Sequence, residues 1–254
     1  MTGPFRWNKW LPPAVAACLF LIIWQLSTVW FDVQKWILPS PVQIIQEGIA
    51  QWPRVWMHTM ATLQLTLIGF AAGIGIGFIT AILLHLFPLI KSACYPFLIL
   101  TQNIPIIALA PLLLIWFGLG PFPRIIIIII VCFFPVTIST LNGLKQTDTN
   151  MLRYMAMSGA SKRQIFGKLE LPHAIPSLFS GLKISATYSV MAAFIAEWLS
   201  ASEGIGTYMR TANSAFRADR VFIGIVIIVC FSMILFGCIV LLEKWLLRWK
   251  TSQG

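Results

Sequence analysis

Six stretches of this chain stay apolar for roughly the thickness of a bilayer: Leu11–Phe31, Ala61–Phe87, Ser92–Phe117, Arg124–Leu141, Ala174–Leu199 and Val221–Leu247. About twenty such residues are needed to cross the hydrocarbon core as a helix. No water is present there, so each segment must satisfy its own backbone N–H and C=O groups. The fourth stretch, RIIIIIIVCFFPVTIST, is rich in β-branched residues and in water would suggest a buried strand. In a chain this apolar, with no turn signals, it reads as a membrane helix. The fold class is therefore an all-α membrane protein with six transmembrane helices. Composition agrees: 58% of residues are hydrophobic and only 10% charged, against about a quarter charged in soluble domains.

The formal charge of +10 does not mark a nucleic-acid partner, because the basic residues form no single patch and sit mainly between the apolar segments. They follow the positive-inside rule instead. Arg6 and Lys9 precede the first span, Lys91 lies between the second and third, and Lys145, Arg153, Lys162, Arg163 and Lys168 crowd the loop after the fourth. Lys244, Arg248 and Lys250 close the chain, while the loop from Asp32 to His58 is balanced and Arg124 alone runs against the pattern. This bias predicts a multi-pass protein of the plasma or inner membrane with both termini and the Met151–Pro172 loop in the cytoplasm. The first apolar run is long and has no small-residue cleavage site after it, so it reads as an uncleaved span.

The stretch from Met151 to Ser180 is a basic, amphipathic interruption between apolar segments. Gly159-Ala160-Ser161 ends one helical run, and Ser161 with Gln164 has the spacing of a capping box that opens another. Proline disfavours helix at the residue before it, so the second helix is expected to stop before Pro172. On the other side, Val42 to Ala50 reads as a short amphipathic helix along the outer surface, after the turn Leu38-Pro39-Ser40-Pro41.

Within the spans, Gly69, Gly73 and Gly77 recur every four residues and leave a groove for a close helix neighbour, best read as packing inside one subunit. Gln102, Asn103 and Pro105 interrupt the third span. A broken helix at membrane depth must be buried in protein or line a cavity, so this segment either lines a pathway or is a kinked packing helix. The fifth span carries Lys183, Tyr188 and Glu197. A carboxyl group in a span is a functional candidate; the alternative favoured for Glu197 is an outer-interface position facing water or an arginine. Cys18, Cys94, Cys132, Cys230 and Cys238 lie in apolar runs and read as small buried hydrophobes. No phosphate-binding loop, metal-ligand cluster or nucleophile motif is visible, so no catalytic residue and no metal ligand is assigned.

These motifs resemble those of type I ABC importer permeases, whose fold is called MetI-like. That family's cytoplasmic loop shows a glycine, nine residues, an aliphatic residue, one more residue and Leu-Pro. Gly159, Leu169, Leu171 and Pro172 meet the spacing, whereas the preceding Glu-Ala-Ala is replaced by Arg153, Tyr154 and Met155. Leu38–Pro41, Gln102–Gly120, Phe133-Phe134-Pro135 and the run from Gly181 through Glu197 to Gly206 resemble the sulfonate, nitrate and taurine branch. Within it the closest likeness is to hydroxymethylpyrimidine (thiamine precursor) permeases. The resemblance implies a first span and outer segment over residues 1–58 and a core permease domain over 59–250, with its coupling loop at 145–172. It implies a pair of permease subunits, identical to each other, and an extracytoplasmic solute-binding protein. It also implies a pair of ATP-binding subunits that hold ATP and magnesium, this chain itself binding no cofactor. The ATPase would dock on Arg153, Met157, Gly159, Ala160, Ser161, Lys162, Gln164, Phe166, Leu171 and Pro172. The translocation pathway would involve Gln102, Asn103, Pro105, Tyr188 and Glu197. The function implied is import of a small polar solute, a thiamine-precursor pyrimidine or a sulfonate- or nitrate-like anion. The alternatives are a stand-alone secondary transporter, which should carry mid-membrane coupling carboxylates, or a membrane-embedded enzyme.

Overall fold

The computed structural model describes residues 7–247, and among them every regular element is helical. Arg6, Arg248 and Lys250, and the side chain of Lys9, on which the charge reading of the termini drew, lie outside the described residues. The long helices are α1 (Trp7–Trp30), α3 (Trp52–Leu86), α6 (Pro121–Lys145), α9 (Leu171–Ser200) and α11 (Ala218–Leu246), each apolar enough to cross a membrane. Between α3 and α6 the chain forms α4 (Pro88–Thr101) and α5 (Ile106–Phe117), two short helices bent by 103° about residues 102–105. The third span is thus a bent pair rather than one rod. Pro105 has no N–H to donate, and the helical ladder ends at Thr101 and restarts at Ile106. The pair still carries the chain from one end of the bundle to the other. Lys145 at the end of α6 sits over the Tyr95 ring of α4, whereas α5 leads into the start of α6.

Helix α6 is the centre of the bundle, packed most extensively against α9 and α3. The glycine stripe of α3 makes this possible. A Cβ on Gly73 would come 2.7 Å from Cys132 Cβ and 3.1 Å from the Ile129 carbonyl oxygen. The same closeness lets Thr137 Oγ1 donate to the Gly77 carbonyl at 3.1 Å. Across the other face, Gly181 of α9 lies against the Pro135 carbonyl and Ser139, and Ser185 Oγ donates to the Cys132 carbonyl at 3.0 Å. The stripe therefore serves packing within one subunit. Of the five cysteines only Cys132 is buried; the other four are exposed. An apolar medium outside the bundle removes the need to bury a small hydrophobe, which is why the expectation of five buried cysteines does not hold.

Several element limits differ from the sequence reading. Helix α3 has 35 residues, about 50 Å at 1.5 Å per residue, so it overshoots the membrane and takes in the boundary expected at residue 58. Helix α2 (Pro41–Ala50) forms as expected, with Ser40 and Gln43 making a capping box and Pro41 in the first turn. A further helix, α10 (Ile205–Ser214), occupies what was read as an outer loop.

The packing predicts a sharp asymmetry along α3. Gly73→Val should cost about 1–3 kcal/mol by overpacking and lower the melting temperature of the detergent-solubilised protein. Gly75→Ala, at a position where an added Cβ would meet nothing within 4 Å, should leave it unchanged or raise it slightly, because alanine favours the helix.

Candidate functional site

Three places gather the residues singled out in the sequence. The first is the exposed end formed by the loop after α6. Helix α7 (Thr149–Met157) starts on Asp148, whose side chain accepts the Asn150 N–H at 2.7 Å. It ends at Gly159, where φ is +80° and the Ala160 N–H reaches back to the Met155 carbonyl at 3.0 Å. That is the left-handed closure at which glycine is favoured. Two residues on, Ser161 Oγ accepts the Gln164 N–H and Gln164 Oε1 accepts the Ser161 N–H, the predicted capping box. Helix α8 (Lys162–Ile165) follows at once. Gly159 is thus a rigid corner between two capped helices.

The helix does not stop before Pro172. It widens into one π turn at Phe166–Glu170, with the Leu171 N–H bonded to the Phe166 carbonyl, and continues as α9 with Pro172 in its first turn. A proline at that position lacks only an N–H that the widened turn leaves without a regular partner. The result is one helical rod from Lys162 to Ser200, 39 residues long. Arg153, Met157, Gly159, Ser161, Lys162 and Gln164 all lie exposed on this end, Met157 at 88%. Ala160, Phe166, Leu171 and Pro172 are half-buried. Phe166 packs on His85 at 6.0 Å between ring centroids, and His85 Nε2 lies 3.1 Å from Glu170 Oε2. Phe166 and Glu170 therefore tie the loop to α3. The partners are 81 and 85 residues apart in the chain, and neither position carries a sequence signal for the contact.

The second place is a cavity of about 310 Å³ where α4 breaks. Thr101, Gln102 and Ile104 border it from the break, Phe133, Phe134 and Pro135 from α6, and Tyr188 from α9. Gln102 and Tyr188 are thus brought together, with three residues of the Phe-Phe-Pro run. Asn103 turns aside and donates to the Ile99 carbonyl at 3.0 Å, closing α4. Pro105 caps the start of α5.

The third place holds Glu197, which borders no part of that cavity. Its exposure is 1%, so it does not face water. The Thr62 hydroxyl donates to Glu197 Oε2 at 2.9 Å and the Gly206 N–H at 3.0 Å. Thr62 Oγ1 accepts the Ile205 N–H at 2.8 Å, and His58 Nδ1 accepts the Gly204 N–H at 3.1 Å. Glu197, Thr62 and His58 thereby take up the first N–H groups of α10, the orphan donors of any helix start. Gly204, at φ +109°, lies directly against the Glu197 carboxyl group, where any side chain would collide. Lys183, the other charged residue of this span, is paired with Glu243 of α11 at 2.6 Å.

Membrane-crossing helices with a polar notch halfway along one span and a capped helix pair exposed at one end are the parts of a transport subunit. The comparisons agree. The family described as binding-protein-dependent transport system inner membrane component matches residues 73–248. A formylaminopyrimidine transport permease of Halalkalibacterium halodurans is 34% identical over 244 residues, covering 96% of this chain and 97% of its own. A riboflavin transport system permease of Chloroflexus aurantiacus is 28% identical, covering 98% and 93%. A taurine transport system permease of Escherichia coli is 27% identical, covering 92% and 87%. The chain belongs to the family of binding-protein-dependent transport system inner membrane components. It is the membrane-spanning permease subunit of an ABC transporter, a transport subunit and not an enzyme, and its family implies ATP-binding and solute-binding partner chains.

Glu197→Ala should leave the Gly206 N–H without its buried acceptor, at about 1–3 kcal/mol, while the Thr62 hydroxyl keeps the His58 carbonyl at 3.2 Å. Amide hydrogen exchange of residues 201–210 should accelerate in that variant, while exchange in α6 stays unchanged.

Proposed function

We propose that this chain is the permease of an importer that carries a small pyrimidine, of the thiamine-precursor type, into the cytoplasm. Two copies pair to enclose the path, an ATPase pair docks on the end bearing α7 and α8, and a solute-binding protein delivers cargo at the end bearing α2 and α10. The observation that carries this reading is the single rod from Lys162 to Ser200. One end of it belongs to the exposed loop, Tyr188 borders the cavity, and Glu197 holds the outer turn. A displacement of α8 by a moving ATPase is transmitted along a helix rather than lost in a flexible joint. The basic side chains Lys91, Lys145, Arg153, Lys162, Arg163 and Lys168 support a cytoplasmic position for this end. The same orientation puts both termini in the cytoplasm.

A sulfonate- or nitrate-like anion is the second reading, favoured by the taurine permease among the relatives. Against it, no lysine or arginine borders the cavity, and an anion at membrane depth needs a positive partner.

Reconstitution of the chain in proteoliposomes with its ATPase and binding protein tests the proposal. ATP-dependent accumulation of a labelled aminopyrimidine is expected. Uptake that needs no ATPase and follows an ion gradient would put the secondary-transporter reading in its place. Gly159→Val should reduce ATP-dependent uptake to background while the chain still inserts, because a β-branched residue at φ +80° costs on the order of 1–3 kcal/mol and reshapes the corner. Normal uptake by that variant would remove the docking assignment.

A further inference from the structure

Neither the Gln102 carboxamide nor the Tyr188 hydroxyl, both exposed on the single chain, makes a hydrogen bond among the described residues. Both border the cavity at the α4–α5 break, halfway along a span. Asn103 beside Gln102 does find a backbone carbonyl, so the lack of a partner belongs to Gln102 and not to the bend as a whole. At membrane depth an unpartnered amide is costly, and such groups are kept where something polar meets them. Around it the chain supplies aromatic rings, those of Phe133, Phe134 and Tyr188, and no charged side chain.

A carboxamide offers one donor and one acceptor side by side. That pair matches the edge of a ring whose nitrogen adjoins an amino group, the way glutamine or asparagine reads the amino edge of adenine. Aromatic side chains accept the flat face of any such ring. A volume of about 310 Å³ lies at the small end of ligand pockets, suited to a single ring with small substituents. We propose that this cavity is a recognition site for a neutral aminopyrimidine ring. Gln102 Oε1 accepts from the amino group, Gln102 Nε2 donates to the ring nitrogen, and the aromatic side chains stack on the ring. The permease then selects cargo itself, after the binding protein has released it. The ring class rests on the functional proposal above; the residues rest on the cavity.

The test pairs two measurements on the full chain. Uptake of tritiated 4-amino-2-methylpyrimidine by the complete reconstituted transporter reports the function. Equilibrium binding of the same probe to the permease alone in nanodiscs reports the site. Wild type is expected to bind saturably, with 2-methylpyrimidine, which keeps the ring nitrogen but lacks the amino donor, competing poorly. Gln102→Leu keeps the size and removes both hydrogen bonds, and should weaken binding about tenfold or more with its melting temperature unchanged. Tyr188→Ala should also weaken it, and Tyr188→Phe should weaken it less. Unchanged affinity in Gln102→Leu, or no saturable binding by a wild-type permease whose complete transporter takes up the probe, overturns the site and leaves the functional proposal standing. No uptake by the complete wild-type transporter overturns the pyrimidine reading and the site with it.

Discussion

Close backbone contact between α6 and its two neighbours is the interaction on which the bundle depends. Lipid tails are as apolar as leucine side chains, so no hydrophobic drive pulls membrane helices together, and packing and interhelical hydrogen bonds must do so. Gly69, Gly73 and Gly77 let α3 lie directly on Ile128, Cys132 and the Phe133 carbonyl. Gly143 and Gly181 do the same between α6 and α9. The hydroxyls of Thr137 and Ser185 donate to carbonyls of the facing helix because the backbones are near enough to reach. Outside this three-helix centre the bent span is attached most loosely: α4 buries no residue at all in the single chain.

That looseness has a place in the transport cycle proposed here. A bent span with an open cavity at its break leaves polar groups at membrane depth without the intrahelical partners a continuous helix would give them. Such a span is suited to meeting cargo or a second subunit. The two ends differ in the opposite sense. The turn before α10 is tied down by Glu197, Thr62 and His58, whereas a side chain added at Gly159 would meet nothing within 4 Å, and the corner presents capped helices outward. One end holds its shape against the bundle, and the other is the one proposed above to meet the ATPase.

Much of this was legible in the chain. The hydrophobic lengths, the break at Gln102–Pro105, the capping box of Ser161 and Gln164 and the helix after Pro41 are all local, set by a residue and its neighbours a few positions away. The role of Pro172 was not legible, because the rule that proline ends a helix assumes a regular ladder, and one π turn changes the ladder. Helix α10 was not legible either: its ten residues are polar and short, and its first N–H groups are accepted by side chains from α3 and α9.

The sequence by itself determined the fold class, the number of segments that traverse the membrane, and the two capped helices with their glycine corner, because period, length and capping are short-range properties. Only the tertiary structure decided which polar groups at membrane depth are satisfied. Glu197, the most conspicuous carboxyl in the chain, is buried and accepts from the Thr62 hydroxyl, 135 residues away, and from the Gly206 N–H, and Gln102, an ordinary amide, was left without a partner. Whether a polar group at membrane depth is spent on the fold or remains available to a ligand depends on what packs beside it, and no local pattern encodes that.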